Sequence, residues 1–322
     1  MRALVLSVVV AVPAVGGAAE QGYPLRPVRM IVASAPGDGA DLLARPMGQR
    51  LAEVFGQPFV ADNRQGAGGV IAAELGAKAP PDGHTLLVVH AGSHAINPAL
   101  FPKLRYDAVK DFSPVALLMT APNVLVVNPS IPARTTREFV DHVAKLPPMT
   151  LNFASGGPGT SAHLSMAYFM RLTGLQMNHV PFKGATGGLL GLVGGQVPVM
   201  FVNLPPAMPH VQSGRLRALA LTSLARLPTL PDLPTVAEGG WPGFETVAWF
   251  GFLAPAGTPK PLIERLNAEI NRHAETPEWR SRVQAVGGEV VIGPPEVFAR
   301  RISGDIAKWR KVVADAGIRG EQ

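Results

Sequence analysis

The sequence predicts an α/β protein of two lobes, each a mainly parallel sheet flanked by helices, joined by a double crossover. Three observations carry this. The chain has 322 residues, more than one hydrophobic core usually serves before it divides. Apolar runs of strand length alternate with stretches of helical spacing, which is the pattern of βα units. Two sets of such units are separated by extended segments near 120–128 and 245–253, which read as the crossovers.

Taken in order, Val28 to Ala33 is a nearly continuous apolar run, as in a strand covered on both faces. A loop over Ser34 to Ala40 leads to helical spacing at Leu42, Leu43, Met47, Leu51 and Val54. Phe59 to Ala61 is a short strand, a Gly-rich turn over 63–69 opens a helix over Val70 to Ala77, and Thr85 to His90 is a third strand. Gly92 to Leu104 reads as irregular. Val115 to Met119 and Val124 to Asn128 read as two strands. Thr135 and Glu138 have the spacing of a capping box for a helix running to Lys145. Leu151 to Ala154 is a strand, followed by a helix with Leu164, Ala167, Tyr168 and Leu172 on its apolar face. Further βα units follow at 178–193, 199–213 and 216–222, then a Pro- and Gly-rich excursion over 227–244 and an extended run over 245–253. Thr258-Pro259 and Thr276-Pro277 each pair an N-cap with Pro at the first helical position. Glu289 to Ile292 is a last strand and Glu296 to Ala314 the last helix.

Composition narrows the function. Charged residues are only 16%, too few for a disordered chain, and the 29 Lys and Arg form no basic run with interleaved aromatics. A nucleic-acid groove is therefore not expected, while the net charge of +6 favours small anions. Cysteine is absent, which removes disulfides, thiol nucleophiles and thiolate metal sites. At the N-terminus Arg2, the apolar run Ala3 to Val12 and the small residues Gly17-Ala18-Ala19 have the form of a secretory signal over 1–19. The mature protein is expected to be exported, soluble and monomeric.

The chemistry centres on two Gly-rich strand-to-helix loops. One is Ser155-Gly156-Gly157-Pro158-Gly159-Thr160-Ser161, and the other runs over Ser34, Pro36, Gly37, Asp38, Gly39 and Asp41. The first N–H groups of a helix lack intrahelical partners and sit at the positive end of its dipole, so such a loop can hold an anion. The plainer reading is a connecting loop with Thr160 as N-cap. No nucleophile elbow, metalloprotease motif or phosphate loop occurs, and Gly66-Ala67-Gly68 lacks the third glycine of a dinucleotide site. No cofactor and no metal are expected. His90 and His94 lie four apart without a carboxylate beside them and read as ordinary loop histidines.

Matches to one family extend from Tyr23 to Ile318. They include DNRQGAGG at 62–69, PDGHTLLV at 81–88, GSHAINPALF at 92–101, NVLVVNPSIP at 123–132, NFASGGPGTSAHL at 152–164, HVPFKG at 179–184 and WFGFLAPAGTP at 249–259. With these in this order, the chain resembles the substrate-binding proteins of tripartite tricarboxylate transporters, the Bug-type periplasmic receptors. The resemblance implies a fold of the periplasmic-binding-protein type closing over an organic anion: a dicarboxylate, an aromatic carboxylate or an amino-acid-like ligand. It implies that the two Gly-rich loops face each other across the cleft and that the loaded protein delivers to membrane transporter subunits. The lobes are expected at 24–122 with 250–322, and at 123–249.

The candidate ligand-binding residues are Ser34, Pro36, Gly37, Asp38, Gly39, Asp41, Ser93, His94, Ser155, Gly156, Gly157, Gly159, Thr160, Ser161, Lys183 and Asn203. Asp41 either orients its loop or is a first-turn acid. His163 reads as structural, Lys183 as a partner for a distal ligand group or a solvated lysine, and Trp249 and Phe250 as hinge packing. Asp38 departs from the family pattern, which has glycine there. Pointing outward it is a helix cap; pointing inward it repels a second carboxylate. Two other functions are weighed: a ligand sensor feeding a signalling system, and a secreted hydrolase on a similar frame, against which the missing nucleophile motif stands.

Overall fold

The computed structural model describes residues 22–317 except 102, 158, 159 and 183, so the expected signal over 1–19 lies outside the described residues. β1 (Val28–Val32), β2 (Phe59–Asn63) and β3 (Thr85–His90) form a parallel set with β1 in the middle. α1 (Gly39–Phe55) and α2 (Val70–Ala77) connect them. Met30 faces a core that includes α1, while Ile31 faces a second core on the other side, which is why the strand needs no polar face.

β4 (Phe112–Val127) is one strand of 16 residues, not two. Its first part, Phe112 to Pro122, pairs antiparallel with β9 (Val247–Pro255); from Asn123 onward it pairs with β7 (Val199–Asn203) and β8 (Arg217–Leu221). Pro122 is the last residue paired with β9 and Asn123 the first paired with β7, so the strand passes from one partner to the next without a break. Beyond the switch, β5 (Asn152–Ser155) runs parallel to β6 (Asn178–Pro181) and to β7. The strand order is β2-β1-β3-β9-β4-β7-β5-β6. The fold is thus α/β with a mixed sheet, parallel in its outer parts and antiparallel where β4 and β9 cross.

Four cores fill the layers. α1 and α8 (Lys260–Ala274) cover one face of the first part, and α2, α3 (Asn97–Leu100) and α10 (Pro295–Ala316) the other. α4 (Thr136–Val143) and α5 (Ser161–Thr173) cover one face of the second part, and α6 (Ala185–Val193) and α7 (Leu204–Gln212) the other. α10 also reaches across to α5, where Asp315 pairs with Arg171.

Several local expectations change. The stretch after β3 is not irregular: Gly92–Ile96 is a π-helical turn leading directly into α3. Thr135 caps α4, accepting from Glu138 N–H, but the Glu138 carboxylate takes the Arg134 N–H rather than closing the box on Thr135. Thr258 is not a cap. Its hydroxyl donates to Pro255 O at 2.7 Å to close the turn after β9, and extended Pro259 takes the cap position of α8. Thr276 does cap α9 (Pro277–Ala285). On α5, Leu172 is exposed; the helix buries Ala162 to Ala167 and Phe169 instead, because both the sheet and α10 cover it.

Candidate functional site

The chain leaves β1 into the first Gly-rich loop, and one carboxylate holds that loop. Asp41 is buried, and its oxygens accept from Gly37 N–H at 2.9 Å, Arg45 Nε at 2.9 Å and Asn63 Nδ2 at 2.9 Å. Burial alone raises its pKa, but the hydrogen bonds from Arg45, Gly37 and Asn63 outweigh it and hold the carboxyl below the usual range. Asp41 therefore orients the loop. Gly37 has φ +83°, which suits glycine. Ser34 is half-buried and bonds locally, its carbonyl accepting from Asn63. Asp38 stands at the N-cap of α1, exposed, with Oδ2 accepting from Ala35 N–H at 3.2 Å and no side-chain bond to the helix.

Opposite this loop, β3 and β9 pair so that His90 and Phe250 are direct neighbours. The Phe250 ring lies over the start of α1: a Cβ on Gly39 would come within 2.8 Å of it. His90 Nε2 lies 3.1 Å from Ala33 O, which can only accept, so this nitrogen carries the proton and Nδ1 accepts from Ser93 N–H. Burial lowers its pKa, only partly offset by the Ala33 carbonyl and the Asp38 charge, so the ring is neutral. His94 and Ser93 point away from this face. Both are fully buried, with His94 Nδ1 against Ser93 Oγ at 3.0 Å and its ring edge-on to Phe112; burial, then neighbouring His90, pushes the His94 pKa down to about 3.

The second Gly-rich loop leaves β5 at Ser155. Ser155 is buried and does not face the cleft: its Oγ lies 2.6 Å from His179 Nε2 and is bonded to both N–H and O of Gly157. Gly156 passes so close to the start of α6 that a Cβ would meet Ala185 N at 2.8 Å. Thr160 caps α5, its Oγ1 accepting from His163 N–H and donating to Gly157 O at 2.8 Å. That leaves the Ser161 and Ala162 N–H groups without hydrogen bonds among the described residues. His163 and His179 stack 4.0 Å apart beneath the loop beside Phe153. Burial, then His179, lowers the His163 pKa to about 4, and burial lowers that of His179.

These elements enclose a cavity of about 720 Å³. Of the residues singled out from sequence, Asp38, Thr160, Ser161 and Asn203 line it. Ser34, Pro36, Gly37, Gly39, Asp41, Ser93, His94, Ser155, Gly156 and Gly157 are not on its wall, and Gly159 and Lys183 lie outside the described residues. The wall holds others that sequence reasoning missed. His90 and Phe250 form one side, so Phe250 is more than hinge packing. Ala67 and Gly68 of the 63–69 turn form another, tied to Asn97, whose Nδ2 donates to Gly68 O at 3.0 Å. Ile96, Leu100 and Phe101 add apolar surface. The local signal for Gly68 was present in DNRQGAGG; for Phe250 there was none, since its place comes from pairing with a strand 160 residues away. Among the described residues no group of three or more His, Cys, Asp or Glu is placed to hold a metal ion.

A cavity at the C-terminal ends of parallel strands, flanked by helix N-termini, is where α/β folds with crossing strands hold small ligands. The profile of the tripartite tricarboxylate transporter family receptor matches residues 43–318, and the chain belongs to that family. It is 36% identical to Rpa4515 of R. palustris, solved with adipate, with a TM-score of 0.77 and coverage of 92% of this chain and 99% of that one. It is 38% identical to MatC from Rhodopseudomonas palustris, solved with bound malate, with a TM-score of 0.73 and coverage of 90% and 100%. The periplasmic binding protein BugD is 32% identical, with a TM-score of 0.73 and coverage of 93% and 100%. No helix among the described residues is long and apolar enough to cross a membrane.

Proposed function

We propose that this protein is a periplasmic receptor that captures one small organic carboxylate in the cleft and delivers it to a membrane transporter. The observation that carries the reading is the cavity wall formed by Thr160 and Ser161 at the N-terminus of α5, facing the His90–Phe250 wall. The size of the cavity falls in the range of about 300–1,000 Å³ usual for small-molecule sites. A helix terminus supplies about 0.3–1 kcal/mol, up to ~2, whereas micromolar binding needs about 8 kcal/mol. Hydrogen bonds to a charged ligand, at about 1.5–3 kcal/mol each, must therefore come from several groups around the cavity. The Ser161 and Ala162 N–H groups, unbonded among the described residues, the Asn203 amide and the first turn of α1 are the available donors.

In this reading the lobes are 24–122 with 250–322, and 123–249, hinged where β4 changes partner at Pro122 and where the chain re-enters the first part at Val247. A residue 1–19 signal directs export, and the receptor works as a monomer. The Ser155–His179 contact is the one feature favouring a hydrolase. The Ser155 hydroxyl is buried and bonded to Gly157, and among the described residues no carboxylate is bonded to His179, so it braces the loop rather than attacking a substrate.

The test is a thermal-shift screen of the purified protein against mono- and dicarboxylates, aromatic carboxylates and amino acids. A true ligand at 100 times Kd stabilises the fold by about 2.7 kcal/mol. If no carboxylate raises the melting temperature, the reading fails.

A further inference from the structure

Asp38 is the one carboxylate side chain among the described residues of the cavity wall, and apart from its pull on the buried His90 ring no described cationic side chain is paired with it. Among the described residues it forms no ion pair, and one oxygen is engaged, by the Ala35 N–H at 3.2 Å. Asp41, three residues on, is the opposite case, fully occupied by Gly37, Arg45 and Asn63. Among the described residues on the wall there is no Lys or Arg to balance Asp38. His90, its nearest titratable neighbour there, is neutral and has both nitrogens committed to Ala33 and Ser93. A free carboxylate of this kind accepts hydrogen bonds and repels a second carboxylate.

The two sides of the cavity therefore differ. The α5 side offers Thr160, Ser161 and open N–H groups, which suit a carboxylate. The α1 side carries a negative charge at the helix terminus that would otherwise attract one, beside the apolar ring of Phe250. Asn203 is neutral and can serve either end of a ligand.

Resting on the receptor reading above, we infer that Asp38 selects the ligand: a carboxylate at one end, placed on α5, and an ammonium or amide donor at the other, placed on Asp38, in preference to a dicarboxylate.

The test is calorimetric titration of the purified full chain with two length-matched sets: succinate, succinamate and 4-aminobutyrate, and adipate, adipamate and 6-aminohexanoate. In one set or both, the wild type should bind the amide or amine at least tenfold tighter than the dicarboxylate. Asp38→Asn, which keeps an acceptor for Ala35 N–H on an exposed position, should remove or invert that preference, and Asp38→Glu should retain it. A wild type that binds the dicarboxylate tightest, with Asp38→Asn leaving the ratio unchanged, overturns this inference and leaves the receptor reading standing. If none of the six compounds binds the wild type, the inference is overturned, and the receptor reading with it if the wider thermal-shift screen is also negative.

Discussion

Asp41 shows how one buried side chain can set a glycine-rich loop. Its carboxylate gathers a backbone N–H, a guanidinium and an amide, and these fix the turn that brings Asp38 to the cavity. Asp41→Ala leaves those partners without their acceptor and is expected to cost about 2–4 kcal/mol, read by urea unfolding at pH 7. Because the folded pKa lies below the unfolded value, this contribution is complete above the unfolded pKa of about 3.9 and is lost as pH falls through the folded value. The gap between wild type and Asp41→Ala should therefore narrow below about pH 4; a gap that stays constant down to pH 2 would show that the carboxylate charge is not what stabilises the loop. From sequence, Asp41 had two readings, because a first-turn acid and a loop anchor look alike until Arg45 and Asn63 are seen to converge on it.

At the scale of elements, the N-terminus of α5 falls where the sequence put it, though Leu172 is not on its buried face. Thr160 caps it, and the helix spans Ser161 to Thr173 before a left-handed Gly174. Thr160→Ala removes the cap and should lower stability by about 1 kcal/mol. It should weaken carboxylate binding by a larger margin, since it also frees the loop carbonyl of Gly157 and loosens the N-terminus that faces the cavity. Calorimetry showing unchanged affinity beside a lowered melting temperature would assign Thr160 to folding alone. Elements with a local signature were legible in this way: β1 and β3 from their apolar runs, α6 from its spacing, and both Gly-rich loops from their glycines. β4 was not, because its continuity across Pro122 depends on β9 on one side and β7 on the other. The same holds for the cleft wall: His90 and Phe250 meet only through strand pairing between distant segments, and no local pattern records it. The π-helical turn at Gly92–Ile96 was hidden because Gly and Ser read as loop, while the buried rings of Tyr106 and Phe112 pack around His94 and hold it wound.

At the scale of the molecule, α10 joins the two parts of the sheet. Asp305 is buried on it, accepts from Trp249 Nε1 at 2.8 Å and pairs with Arg301 and Lys308, while Arg301 reaches Glu245 at 3.1 Å. These contacts fall on the segment that leads into β9, beside the cavity, so the crossover is held from behind by a helix that also touches α5. The structure holds a second cavity of about the same volume, 720 Å³, between the 104–111 loop and α10. Its acids are engaged locally, Asp107 with Lys110 and Asp111 with the Asp107 N–H, and it has no helix N-terminus of the kind α5 presents. Its wall also carries Arg105, Lys110 and Arg310, so volume and charge alone do not distinguish the two. Hydrogen exchange measured by mass spectrometry, with and without a bound carboxylate at 100 times its Kd, decides between them directly. Ligand binding in the cleft predicts slowed exchange at 34–42, 160–165 and 246–250, with 104–111 and 303–310 unchanged. Protection confined to 104–111 and 303–310 would place the ligand in the other cavity and contradict the account.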